Sequence, residues 1–207
     1  GEVRLIVHCL SDSLMAVLKR LYFVVTRVFF CFVMLDSACA QLIGLYRFND
    51  PSDTSVAIDA SASANDGSVL GGAFYTPDMG GITGAAGDYA MDFGAGSSRV
   101  TLPAAPLQSI STNNTATMSM WLFGQGQPVS DTTFSFNQSG ARQFMSHTPW
   151  GDGNVYFDTG GGAGGTQRIS GSAGPASNYE GQWNHWTFIK DGDTKSIYLN
   201  GNLFLGP

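Results

Sequence analysis

The sequence predicts an all-β protein of antiparallel strands, and three observations carry that reading. After residue 40 no segment keeps a helical period over ten residues. Short runs rich in aromatic and β-branched residues alternate instead with clusters of Gly, Ser, Asn, Asp and Pro, a spacing that fits a sandwich or a barrel. The stretch 181–205, GQWNHWTFIKDGDTKSIYLNGNLFL, is the clearest case. In it Trp183, His185, Thr187 and Ile189 fall on one face and Asn184, Trp186, Phe188 and Lys190 on the other, the period of two that marks a strand. Asp191-Gly192 and Asn200-Gly201 then supply dipeptides that tolerate the positive φ of tight hairpin turns, so the stretch reads as a three-stranded meander.

Taken in order, the first strand is expected at 42–48, and a glycine-weakened one follows at 68–74. A hairpin is expected from 89–93 and 99–102, turning at Gly94-Ala95-Gly96. The run 117–123 alternates, with Met118, Met120 and Leu122 set for a core face. Strands at 132–137, 143–146, 155–158 and 167–170 fill the middle before the closing meander. Apolar faces from two such sheets would interdigitate to form the core.

Several of these words, in this order, resemble the laminin-G-like family. LIGLYRFND is similar to its opening strand, and IDASASANDGSV to the loop of an Asp, small residues and Asn-Asp-Gly. YAMDFGAGSSRVTLP, ATMSMWLF, WNHWTFIKDG and IYLNG match later phrases. The resemblance implies a two-sheet antiparallel jelly-roll sandwich of the concanavalin A-like superfamily. It also implies a further strand, with a phrase like DEVRIYN, that pairs beside the opening strand. No such phrase follows the meander here, so the domain is expected to be incomplete at its C-terminus.

Ahead of that domain, residues 15–40 have the order of a secretory signal peptide: Met15, then Lys19, Arg20 and Arg27, an apolar run at 28–35, and Ala38-Cys39-Ala40 as a small-residue cleavage site. The fold class is therefore expected to carry a signal-peptide helix in front, cut between Ala40 and Gln41. The alternative is an uncleaved membrane anchor, although Arg27 interrupts an apolar stretch shorter than the roughly 20 residues a span requires. Residues 1–14 precede Met15 and are expected to stand outside the fold as upstream sequence. The expected organisation is thus 1–14, a signal peptide at 15–40, and one domain at 41–207. Cys9, Cys31 and Cys39 all precede the cut, so the domain relies on its core rather than on disulfides. Residues 41–207 hold six basic and thirteen acidic side chains, a net charge of −7, which argues against nucleic acid or an anionic membrane as partner. A secreted or cell-surface location is expected, with membrane contact only through an uncleaved signal segment.

Catalytic patterns are sparse. Glycosidases need two placed carboxyl groups, yet Glu180 is the lone Glu of 41–207 and no strand presents a carboxylate pair. His147 and His185 have no sequence partner that would complete a triad, and His185 is expected to be a packed, hydrogen-bonded strand residue. The glycine run 159–165 lacks the Gly-Lys-Ser/Thr ending of a phosphate loop and reads as a connection. Without cysteine, and with two distant histidines, zinc is not expected. Asp59 and Asp66, together with Asp50, Asp53, Asn49 and Asn65, have two readings. They are oxygen ligands for calcium, which the resemblance places at such loops, or turn residues bonding their own backbone.

The loop 147–154, HTPWGDGN, joins an aromatic ring to amide and carboxylate groups. Trp150, Asp152 and Asn154 are the candidate ligand contacts there, because sugars offer C–H faces and hydroxyl rims and binding concentrates in loops on a rigid scaffold. The other reading folds Trp150 back on the sandwich edge. The expected function is a non-catalytic binding module for glycan or an extracellular protein, with calcium as a stabilising ion. The alternatives are a structural or adhesive assembly module and an accessory domain of a partial glycoside hydrolase.

Overall fold

The structure is a computed structural model that describes residues 3–8, 40–94, 96–104, 107–108, 114–160 and 167–207. In chain order the strands are β1 (Val3–His8), β2 (Ala40–Tyr46), β3 (Val56–Ala57), β4 (Gly67–Leu70), β5 (Phe74–Tyr75), β6 (Met91–Asp92), β7 (Arg99–Thr101) and β8 (Thr115–Phe123). They continue with β9 (Phe134–Gln138), β10 (Ala141–His147), β11 (Asn154–Asp158), β12 (Arg168–Ser172), β13 (Trp183–Asp191), β14 (Thr194–Leu199) and β15 (Asn202–Leu205). All described pairings are antiparallel. One sheet runs β15-β14-β13-β8-β1-β2, a second β12-β11-β10-β9, and two small ones β3-β4-β7 and β5-β6.

The two large sheets bury their facing sides against each other. From the six-stranded sheet come Ile43, Met118, Met120, Trp186, Phe188 and Ile197; from the four-stranded sheet come Phe134, Phe144, Val155 and Phe157. The rings interlock edge to face, Phe144 on Phe157 at 5.1 Å and Phe134 on Phe188 at 5.2 Å between centroids, the geometry their quadrupoles favour. Burial follows the alternation in sequence. In β13 Asn184, Trp186 and Phe188 point inward while Trp183, His185 and Thr187 point out, and Met118 and Met120 of β8 lie in the core as expected. The meander forms with its expected turns, Gly192, Asn200 and Gly201 all having positive φ.

Two expectations differ from what the strands do. The hairpin expected from 89–93 and 99–102 does not form: β6 pairs with β5 and β7 pairs with β4. The Gly94 N–H bonds Asp92 Oδ1, and past the turn the Ser98 hydroxyl bonds the Gly71 carbonyl, so the chain reverses but returns to another partner. Together β3–β7 and their loops enclose a second small core of Tyr46, Phe48, Ala57, Val69, Tyr75 and Met91. The other difference lies in residues 1–14, expected outside the fold. Val3–His8 forms a strand between β2 and β8 and pairs with both. Its β-prone run VRLIVH suits a central strand. Residues 15–39, with most of the expected signal segment, lie outside the described residues. Among the described residues no helix is long and apolar enough to cross a membrane.

Candidate functional site

Asp59 stands at the start of the loop between β3 and β4 and is 5 % exposed. Its Oδ1 accepts the N–H groups of Leu45 and Ser61 at 2.8 and 2.9 Å, and its Oδ2 accepts the Ser61 hydroxyl and the Asn65 N–H at 2.9 and 2.8 Å. Asp66 Oδ1 in turn accepts the Asp59 N–H at 2.8 Å. Burial opposes ionisation of Asp59, but these donors outweigh it and hold its carboxyl below the usual range. Each lone-pair direction of Asp59 thus meets a protein donor, so the carboxylate does not fit an ion's shell. Among the described residues no group of three or more His, Cys, Asp or Glu is placed to hold a metal. Asp50 and Asp53 likewise bond Ser52 and Ser55 two residues on.

The loop with Trp150, Asp152 and Asn154 closes the β10–β11 hairpin. The Trp150 N–H bonds the Asn154 carbonyl and the Gly153 N–H bonds the Trp150 carbonyl, both at 2.8 Å. The indole stands edge-on to His147, 4.5 Å between centroids, and His147 Nδ1 lies 2.9 Å from the Asp131 carbonyl. Asp152 Oδ2 accepts the Tyr156 hydroxyl at 2.5 Å and its Oδ1 the Asn154 N–H at 2.9 Å. That hydrogen bond holds the Asp152 carboxyl below its usual range and pushes the Tyr156 phenol up.

Tyr156 extends this loop into a larger site. With Val155 and Phe157 buried in the core, strand alternation turns Asn154, Tyr156 and Asp158 to the face away from it. Register then sets Arg168 beside Asp158, Ser170 beside Tyr156 and Ser172 beside Asn154. Asp158, 3 % exposed, receives Arg168 Nε at 2.5 Å, Arg168 Nη2 at 2.7 Å and Arg142 Nη1 at 2.8 Å. The Arg168 fork is bidentate, the strongest geometry for this pair. Burial opposes the Asp158 charge, but the two guanidinium groups outweigh it and lower its pKa. The Arg168 guanidinium also lies over the Tyr156 ring, 4.4 Å from its centroid. A continuous row therefore runs Arg142–Asp158–Arg168–Tyr156–Asp152, with Trp150 at its end. Sequence reasoning found the end of this row and missed its middle. The alternation of 155–158 was the available signal for Tyr156 and Asp158; the arginines enter only through pairing.

The opposite outer face belongs to β8 and β13 and has different chemistry. Trp121 packs on His185 at 5.0 Å and Phe123 on Trp183 at 5.6 Å. His185 Nε2 lies 2.7 Å from the Ser119 hydroxyl, the packed strand histidine the sequence suggests. Phe123 and Leu203 remain 49 % and 53 % exposed. Glu180 sits apart from both faces, its two oxygens accepting the N–H groups of Gly126 and Gln127 at 2.8 Å.

Two facing antiparallel sheets with loops carried at their rims define a concanavalin A-like sandwich. The family model described as the concanavalin A-like lectin/glucanases superfamily, of the laminin-G group, matches residues 94–205, more than half of the sequence, and the chain belongs to that family. It matches no curated protein and no solved structure.

Proposed function

We propose that this chain is a non-catalytic binding module of the extracellular space that takes glycan on the outer face of its four-stranded sheet. The observation that carries the reading is the row from Arg142 to Asp152, which sets a tyrosine ring, two guanidinium groups and two carboxylates side by side on three paired strands and the β10–β11 loop. Sugar rings present C–H faces to aromatic groups and hydroxyls to charged donors and acceptors, and a preformed row binds without the cost of ordering its side chains. Trp150 and Asn154 flank it on the β10–β11 loop. Secretion enters the proposal from the signal-like residues 15–40. The proposal gives Asp59 and Asp66 a loop-holding role and leaves calcium out of the binding step.

A panel of immobilised glycans tests it. Retention of the chain on one class, lowered about tenfold or more per folded molecule in Trp150→Ala and Arg168→Ala while both variants still unfold cooperatively, is the expected result. Retention equal in all three proteins would sink the assignment of this face. Release of reducing sugar from the same panel would move the reading to a hydrolase. A second reading, an adhesive assembly module, is favoured by exposed Phe123 and Leu203 on the other face. It predicts oligomers that grow with concentration and are abolished by Phe123→Ser with Leu203→Ser.

A further inference from the structure

The row on the outer face of β10, β11 and β12 is not evenly charged along its length. Asp158 is 3 % exposed, and its two oxygens already accept Arg168 Nε, Arg168 Nη2 and Arg142 Nη1, so it is covered by the groups it binds. Two guanidinium groups against one carboxylate leave one positive charge in excess at this end. Asp152 makes the other end negative, held there by neutral donors, the Tyr156 hydroxyl and the Asn154 N–H. Asn154 and Asp158 are four residues apart on β11, about 13 Å at the rise of a strand, so the row is longer than one sugar ring.

The excess charge is least engaged on Arg142, whose side chain is 29 % exposed. One of its five N–H groups, on Nη1, meets Asp158, and among the described residues the others have no partner. Its Nε–Nη2 edge is thus open, and this is the edge by which Arg168 grips Asp158 in the same row. Two parallel N–H groups there match the two oxygens of a carboxylate, a fit that a lysine's point charge does not reproduce. The surrounding β9–β10 hairpin, FSFNQSGARQ at 134–143, contains no Asp or Glu, although the sequence has sixteen of them. Opposite Arg142 stands Asn137, exposed and neutral, with its amide nitrogen donating to the Ser135 hydroxyl. No acidic side chain of that hairpin competes for Arg142 or repels an incoming anion. The net charge of −7 on 41–207 acts weakly here, because exposed charges are screened over about 8 Å at physiological ionic strength.

We propose that this face selects acidic glycan: an oligosaccharide whose uronic-acid carboxylate seats on the Arg142 guanidinium while its neutral residues run along Tyr156 toward Trp150 and Asp152. The inference rests on the glycan reading given above and narrows it to a ligand class and a direction along the row. Arg142 is the residue that sets the preference, and Arg168 and Asp158 hold it in place.

The test compares retention of the full chain on immobilised polygalacturonate, alginate and hyaluronan with retention on the same polymers after their carboxyl groups are reduced to alcohols. At least one acidic polymer is expected to hold the chain about tenfold or more better than its reduced form, as hydrogen bonds between charged groups imply. Arg142→Gln should bring that ratio close to one. The variant keeps the bidentate Arg168–Asp158 pair, and its unfolding midpoint shows whether it is folded. Equal retention on the acidic and reduced forms would overturn the proposal, and so would a ratio that survives Arg142→Gln; in either case retention on neutral glycan leaves the broader reading standing. Retention on dextran sulfate but on none of the three carboxylated polymers would overturn the carboxylate assignment in favour of a sulfate ester. A chain held by no acidic or neutral glycan would remove the broader reading and this inference with it.

Discussion

Asp59 and Asp158 are both buried carboxylates with lowered pKa, and they are held ionised by opposite means. Asp59 is surrounded by donors of β2 and of its own loop, three backbone N–H groups and one serine hydroxyl. Asp158 is held by two arginine side chains that also face outward. Backbone donors cannot be lent to anything else without opening the loop. Guanidinium groups on a sheet surface have further N–H groups and can turn toward a ligand. The contrast separates a carboxylate that builds the scaffold from one that prepares a surface.

Replacing each aspartate tests this most strongly. Asp59→Ala strands the Leu45, Ser61 and Asn65 donors in a buried site, and the expected loss is about 3 kcal/mol or more in chemical unfolding. Glycan retention per folded molecule should survive it. Asp158→Ala leaves two guanidinium groups facing each other without a counter-charge, with an expected loss of about 1–3 kcal/mol, reduced by the partial exposure of both arginines. Here retention should fall as well. If the two variants lose binding alike, the contrast fails.

Next in size is Trp150→Ala. Its indole covers His147 at the rim, so the stability loss should stay near 1 kcal/mol while retention drops about tenfold, the effect of roughly 1.4 kcal/mol. Acid acts on both aspartates together. Their folded pKa values lie below the unfolded value of about 3.9, so the stability they give is complete above that pH. It declines as pH falls from about 4 toward the lowered values, and a midpoint series from pH 6 to 2.5 measures it. Asp59→Ala should flatten that decline more than Asp152→Ala. The smallest effect is expected from calcium. With the Asp59 acceptors already occupied, calcium and chelator should give the same unfolding midpoint. A clear rise with calcium would place an ion among these aspartates.

How much of this was legible in the sequence depended on distance along the chain. Alternation in 183–190 and 117–123 is a local property, and it gave the core faces of β13 and β8 correctly. Turn dipeptides gave the meander for the same reason. The hairpin across Gly94–Gly96 was misread because a turn signal states that the chain reverses, not which strand it meets afterwards. The place of Val3–His8 was hidden too, since pairing across 9–39 leaves no mark in either segment alone. In the candidate site, Trp150, Asp152 and Asn154 stood together in one loop and could be picked out by eye. Arg142 and Arg168 lie on β10 and β12, on either side of β11, and reach Asp158 only through the register of those three strands. The roles of Asp59 and Asp66 were balanced between ion and turn because both chemistries use the same oxygen atoms, and only the donors around them differ.

The two outer faces of the sandwich are parallel, point in opposite directions and differ in polarity. A particle built this way can be oriented. Attached to a sensor chip or a bead through a single cysteine at the exposed Leu203 position, it would hold the Arg168–Tyr156 row toward the bulk liquid. The molecule thus carries a built-in handle for display, on the side away from the face assigned to glycan.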